Sequence, residues 1–146
     1  MRVLGRGGVH DLDLCARVVR ISLVGSFNIL ALAAEAIART DPTNDGRRGV
    51  LVNTASVAAY EEQIGQAACS SSKGGIVGLT LPAARDLAQY GIRVNAIAPG
   101  IVETPMLGTV SAEYRESLAA SGEVIRTDGT PLTPVQPGST PAIMPG

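Results

Sequence analysis

Apolar residues along this chain change their period several times, and each change marks an element. From about residue 12 to residue 39 they recur at helical spacing and form two stripes. Leu23, Phe27, Leu30, Ala34 and Ile37 make one; Leu14, Val18, Ile21, Ile29, Leu32 and Ala36, on nearly the opposite side, make the other. Such a helix asks for cover on two faces, and a sheet can cover only one of them. Asp11 stands in the capping position ahead of it. The run Asp41-Pro42-Thr43-Asn44-Asp45-Gly46 is turn chemistry, and residues 49 to 54 then predict a short strand of the kind a parallel sheet buries on both faces. Helical spacing returns from about residue 66 to residue 90, with Arg85 and Asp86 on the wet side. Pro82 predicts a local bend or break there, and Gly74, Gly75 and Gly78 predict close packing against a neighbour. Gly91 reads as a stop, and residues 92 to 98 as a second buried strand closed by Pro99-Gly100. Helices alternating with short apolar strands predict an α/β fold with a parallel sheet. Beyond Thr104 the pattern thins to a short helix near residues 112 to 120 and an edge strand at 123 to 126. Five prolines in the seventeen residues from Thr130 predict an irregular, disordered tail, so the globular part is residues 1–129 and the tail 130–146. The PLTPVQP stretch in the tail reads as plain tail or as a polyproline ligand.

Composition adds exclusions. With 146 residues, 45% apolar and 17% charged, the chain suffices for one domain. A formal charge of −1 supplies no basic stripe for nucleic acid. The longest uncharged apolar run, residues 21 to 34, is shorter than the roughly 20 residues that cross a bilayer, so it predicts a buried helix and no membrane partner. The start, Met1-Arg2-Val3-Leu4-Gly5, carries no secretion signal, which makes the cytoplasm the expected compartment. Cys15 and Cys69 fit neither a metal knuckle nor a redox pair and are expected as reduced thiols; His10 has no ligand-spaced neighbour and reads as a loop residue.

Three blocks carry a resemblance: VLVNTAS at residues 50–56, CSSSKGGIVGLTLPAARDLAQYGIRVNAIAPGIVETPM at 69–106, and GEVIRTDG at 122–129. In this order they resemble the short-chain dehydrogenase/reductase family, within it the branch of 3-hydroxyacyl-CoA and 17β-hydroxysteroid dehydrogenases. The resemblance implies the C-terminal part of a Rossmann-like, doubly wound parallel sheet, and NAD-linked hydride transfer on a secondary alcohol or ketone. Family members carry a serine at a strand end, a tyrosine thirteen residues later, a lysine four after that, and an asparagine in the preceding helix. Ser56 and Lys73 match the serine and lysine; Cys69 stands in the tyrosine place and Ser22 in that of the asparagine.

The resemblance implies that tyrosine exchanges the proton, lysine lowers the phenol's pKa and binds the nicotinamide ribose, serine orients the substrate oxygen, and asparagine holds a relay water. A thiol, with an ordinary pKa of about 8.5, is acidic enough beside a lysine. Its reach is the defect. The sulfur lies one bond beyond Cβ, whereas proton transfer needs heavy atoms roughly 2.6–3.2 Å apart. Cys69 therefore reads as a proton donor working through a bridging water, or as a small side chain packed under a cleft. Ser56 likewise reads as a site serine or as an ordinary strand-to-turn serine, and Lys73 as a site lysine or a solvated one. Tyr60, nine residues before Cys69 across a loop, is no evident substitute.

For the cofactor, the resemblance implies a nicotinamide side made by Lys73, Pro99, Gly100, Ile101, Val102 and Thr104. The strand, glycine-rich turn and helix that hold the pyrophosphate have no counterpart, because Gly5-Arg6-Gly7-Gly8 imitates the turn with only four residues ahead of it. Residues 117–120 run almost directly into 122–126, where relatives place a loop and helix over the substrate. Three readings follow: an NAD-linked oxidoreductase by descent, impaired as this chain; a non-catalytic module that dimerises, or pairs with a full-length relative, through its two long helices; or a decayed fragment.

Overall fold

The computed structural model describes residues 2–61, 64–102 and 105, together with a short strand at Val124–Ile125. The chain divides into two units, Met1–Pro99 and Gly100–Gly146. In the first, the glycine cluster forms a small antiparallel hairpin of β1 (Leu4–Gly5) and β2 (Gly8–Val9), with Gly8 at φ 103°. Asp11 then caps α1 (Leu12–Val19) as expected: its carboxylate accepts from the Asp13 and Leu14 amides at 2.9 and 3.3 Å. The helix continues through a π turn, Arg20–Val24, into α2 (Gly25–Ala38). After the turn residues come β3 (Gly49–Thr54), a single 3₁₀ turn (Val57–Ala59), α3 (Ala67–Ala88) and β4 (Ile92–Ile97). Strands β3 and β4 pair in parallel, Gly49 opposite Ile92 through to Thr54 opposite Ile97, with α3 as the crossover between them. The second unit contains β5 (Ile101–Val102), which pairs in parallel with β6 (Val124–Ile125), inside the stretch read as an edge strand.

The core lies under one face of the β3–β4 pair. Ile76 of α3, Ile92 and Val94 of β4, Ala55, Ala68, and Leu30 and Ala34 of α2 are the buried apolar residues. Gly91 closes α3 in the left-handed region, φ 68°, and a Cβ there would stand 2.3 Å from the Gly46 carbonyl. Arg48 ties the same corner, donating to the Thr40 and Tyr90 carbonyls at 2.9 Å each.

Four expectations change. Residues 49–54 alternate between half-buried and exposed instead of being buried on both faces, since Val50, Val52 and Ile97 look to solvent on the side without helices. The long helix is not a buried one. Leu30 and Ala34 are covered and Leu23 and Ile37 partly so, but Phe27 of that stripe is exposed, as are Leu14, Ile21, Ile29, Leu32 and Ala36 of the other. By length and composition the 27-residue helix Leu12–Ala38 could span a bilayer, a weak indication that the core helix of a soluble protein also satisfies. Third, Pro82 does not interrupt α3, which is assigned continuously from Ala67 to Ala88. Finally, of its three glycines only Gly75 is needed for close approach, because a Cβ there would meet Leu23 Cδ2 at 2.6 Å while Gly74 and Gly78 face open space. The predicted helix near 112–120 and the tail 130–146 lie outside the described residues.

Candidate functional site

At the end of β3 the chain passes through buried Ala55 to Ser56, whose extended backbone starts the 3₁₀ turn. Ser56 Oγ accepts from the Ala58 amide at 3.1 Å. The Ala55 amide donates to the Ile97 carbonyl at 2.8 Å and the Val57 amide to that of Pro99 at 3.1 Å, so the pairing of β3 with β4 extends past both strand ends and holds the Ser56 loop there. Small residues on the first turns of α3 let that helix lie against this loop. Cys69, in its first turn, is half-buried and carries a free thiol. Among the described residues Ser72 is the polar one that goes fully inside, 1% exposed, with Oγ donating to the Cys69 carbonyl at 2.8 Å. Lys73, one turn after Cys69 on the same helix side, sends Nζ to the Thr54 carbonyl at 2.8 Å. That bond spans nineteen residues and brings the lysine to the C-terminal end of β3, two positions from Ser56. Crevices outside strand C-termini are where open α/β sheets take ligands.

Ser22 lies in the π turn, which packs on α3 where Leu23 sits against Gly75. Its carbonyl accepts from Ser26 Oγ at 2.6 Å. The elements bearing Ser22, Ser56, Cys69 and Lys73 therefore converge, with Ser56 and Lys73 drawn to one strand end. Pro99 is tied to the Ser56 loop through its carbonyl. Gly100, Ile101 and Val102 belong to the second unit, where the last two form β5, and Thr104 lies outside the described residues. Tyr60 is exposed. His10 lies in the loop between β2 and α1, as read, and is half-buried; among the described residues its Nε2 is enclosed without a hydrogen-bond partner. Asn53 Nδ2, on β3, is likewise buried and has no partner among the described residues.

Sequence reasoning missed three features: the π turn, the Lys73–Thr54 bond and the burial of Ser72. A serine four residues before another at a glycine, Ser22-x-x-Gly25-Ser26, was the available signal for the first, because a side-chain hydroxyl bonding back to the i−4 carbonyl perturbs a helix. The other two depend on tertiary proximity.

The described residues do not fit a whole dinucleotide. Its diphosphate needs free amides at a helix N-terminus after a strand and a glycine-rich turn. Here the glycines belong to a hairpin turn, and the α1 amides that follow are already satisfied by the negative carboxylate of Asp11. An open groove of about 740 Å³ lies between α2 and the second half of α3, lined by Phe27, Leu30, Ala34, Leu79, Pro82 and Ala83 among others, and includes none of the site residues.

A family model described as short chain dehydrogenase matches residues 8–115. The chain is 54% identical to the 3-hydroxyacyl-CoA dehydrogenase type-2 of Rattus norvegicus over 112 residues, 77% of this chain and 43% of that protein. With the Homo sapiens protein of the same name it is 44% identical, covering 86% of this chain and 59% of that one. That alignment runs over 153 positions, more than the chain contains, so the human protein carries residues inside the span that this chain lacks. Among solved structures, the 3-hydroxyacyl-CoA dehydrogenase type-2 of Mycobacterium avium superposes with a TM-score of 0.78 at 43% identity, over 84% of this chain and 48% of its own. An NAD+-bound xylitol dehydrogenase superposes at 0.58 with 38% identity, over 67% and 35%. The chain spans about half the length of the curated relatives it matches. Matching strands, crossover helix and sequence blocks agree: this chain belongs to the short-chain dehydrogenase family and holds a partial Rossmann-like α/β domain.

Proposed function

We propose that these 146 residues are the nicotinamide-side half of an NAD-linked oxidoreductase acting on a 3-hydroxyacyl-CoA or hydroxysteroid type of alcohol or ketone, and that by themselves they do not turn it over. The observation that carries this reading is the pair Cys69 and Lys73. A thiol stands where a phenol should hand over the proton, and the lysine's ammonium is engaged with the Thr54 carbonyl. Ser56 would orient the substrate oxygen and Lys73 the nicotinamide ribose, with Pro99, Gly100, Ile101, Val102 and Thr104 at the carboxamide. NAD, when bound, would supply the hydride acceptor. Ser22 in place of asparagine leaves the proton relay without its amide. Where residues 117–120 run almost directly into 122–126, we read a reduced cover over the substrate, which would weaken water exclusion.

The test is turnover of acetoacetyl-CoA or a hydroxysteroid with NAD(H) by the purified chain. We expect none, and turnover that disappears in Lys73→Ala would overturn the reading.

A second reading, a non-catalytic module, is favoured by the apolar groove between α2 and α3, lined in part by the exposed Phe27, and by the exposed Ile29 and Leu32 on the other side of α2. Paired through these helices with itself or with a full-length relative, the chain would cover them; sedimentation as a clean monomer at micromolar concentration counts against this. A decayed fragment, aggregating through its open strand edge, is the third reading. In all three we place the chain in the cytoplasm, away from membranes and nucleic acid, with residues 1–129 as the partial domain and 130–146 as a tail.

A further inference from the structure

Two nucleophilic side chains stand one helical turn apart at the start of α3. Cys69 is a free, half-buried thiol in the first turn, and Lys73, four residues on, is the single lysine of the sequence. Cβ atoms at that spacing lie about 5–6 Å from each other on one side of a helix, a gap that a lysine's flexible stem closes. The 2.8 Å bond from Lys73 Nζ to the Thr54 carbonyl holds the nitrogen at the end of β3. A neutral amine can donate the same bond and keep its lone pair free. Gln66 gives α3 no side-chain cap, so the first-turn amides are available to a carbonyl oxygen that gathers charge there. A thiol and an amine within reach of each other are two acyl acceptors in series.

We propose that Cys69 and Lys73 are an acceptor pair for acyl thioesters: the acyl group of an acyl-CoA passes to Cys69 Sγ and from there to Lys73 Nζ. The inference rests on the reading above that brings an acyl-CoA to this cleft. A thiol in place of a phenol is too short to hand a proton to the substrate, and the room it leaves lets a thioester carbonyl come down to the sulfur. In the first step Cys69 Sγ adds to that carbonyl, the bond from its carbon to the CoA sulfur breaks, and CoA leaves as a thiol with the proton that Cys69 gives up. In the second, the Lys73 amine adds to the new thioester, the carbon–sulfur bond to Cys69 breaks, an amide forms, and the amine's proton returns to the Cys69 sulfur. Neither step oxidises or reduces anything, so neither needs NAD. Cys15 is also free and half-buried, but Asp11 and Val19 stand one turn to either side of it, which makes it the internal reference.

The experiment incubates the purified chain with acetyl-CoA and maps acetyl groups by peptide mass spectrometry, before and after hydroxylamine, which cleaves thioesters and spares amides. We expect Cys69 to be acetylated at least about tenfold faster than Cys15, and hydroxylamine-stable acetyl to gather on Lys73. Cys69→Ser should lower acetylation of Lys73 at least about tenfold. Lys73→Arg should leave the acetyl group on Cys69 in hydroxylamine-labile form, and Cys15→Ser should leave both sites within about twofold. Far-UV circular dichroism of each variant should match the unmodified chain. Equal rates at the two cysteines would overturn the proposal, as would acetylation of Lys73 indifferent to Cys69→Ser, or no acetyl group at either residue. Because no step uses the cofactor, NADH binding by the chain would sink the half-domain reading and leave this result untouched, so the two failures are separable.

Discussion

On the proposed reading, Cys69 is the one side chain that disables a site whose neighbours are in place. Ser56 and Lys73 are brought to the end of β3 by backbone pairing and by a 2.8 Å bond, so the frame for a proton donor exists. The sulfur is too short for it. Cys69→Tyr with Ser22→Asn restores the residue types the family uses at both places, and it is expected to leave turnover undetectable in the isolated chain, because the diphosphate still lacks its amides. Assays of the double variant with acetoacetyl-CoA and NADH check this. Asn53 makes a second residue-scale case. A buried amide N–H2 without an acceptor costs about 1–3 kcal/mol, and an apolar side chain of similar shape removes that cost. Asn53→Leu is therefore expected to raise stability by about 1 kcal/mol, read as a higher urea midpoint with the slope unchanged.

Elements were the scale most legible in the sequence. Both six-residue strands, the two long helices, the Asp11 cap and the Gly91 stop follow from period and terminal chemistry, which act within a few residues. Ser56, Cys69 and Lys73 stand out through the family resemblance, but that Lys73 would bond the Thr54 carbonyl could not be read, since it depends on how α3 lies across β3. Continuous hydrophobicity in residues 49–54 was equally uninformative about which face would be covered. Ile76 anchors α3 to the sheet at 1% exposure, and Ile76→Ala is expected to cost about 2–5 kcal/mol by thermal or urea unfolding. In the turn ahead of β3, the Thr43 hydroxyl first, then the Arg47 amide, hold the Asp45 carboxyl below its ordinary value. A carboxyl lowered by folding stabilises the folded chain above its unfolded value of about 3.9, and that contribution fades as pH falls through the folded one. Wild type should thus melt above Asp45→Asn at pH 6 and converge with it near pH 2. A gap that widens in acid would contradict this sign.

At the largest scale, the first unit is built around the parallel β3–β4 pair, with helices on one face and apolar residues bare on the other among the described residues. The relatives this chain matches are about twice its length. The central claim is that the nicotinamide-side residues present cannot hold the dinucleotide without the other half. The direct measurement is a fluorescence titration of NADH with the purified 146-residue chain, alongside Lys73→Ala. We predict no saturable change up to millimolar NADH and identical traces for the two proteins; a saturable one-site curve at micromolar NADH, weakened in Lys73→Ala, would contradict the account.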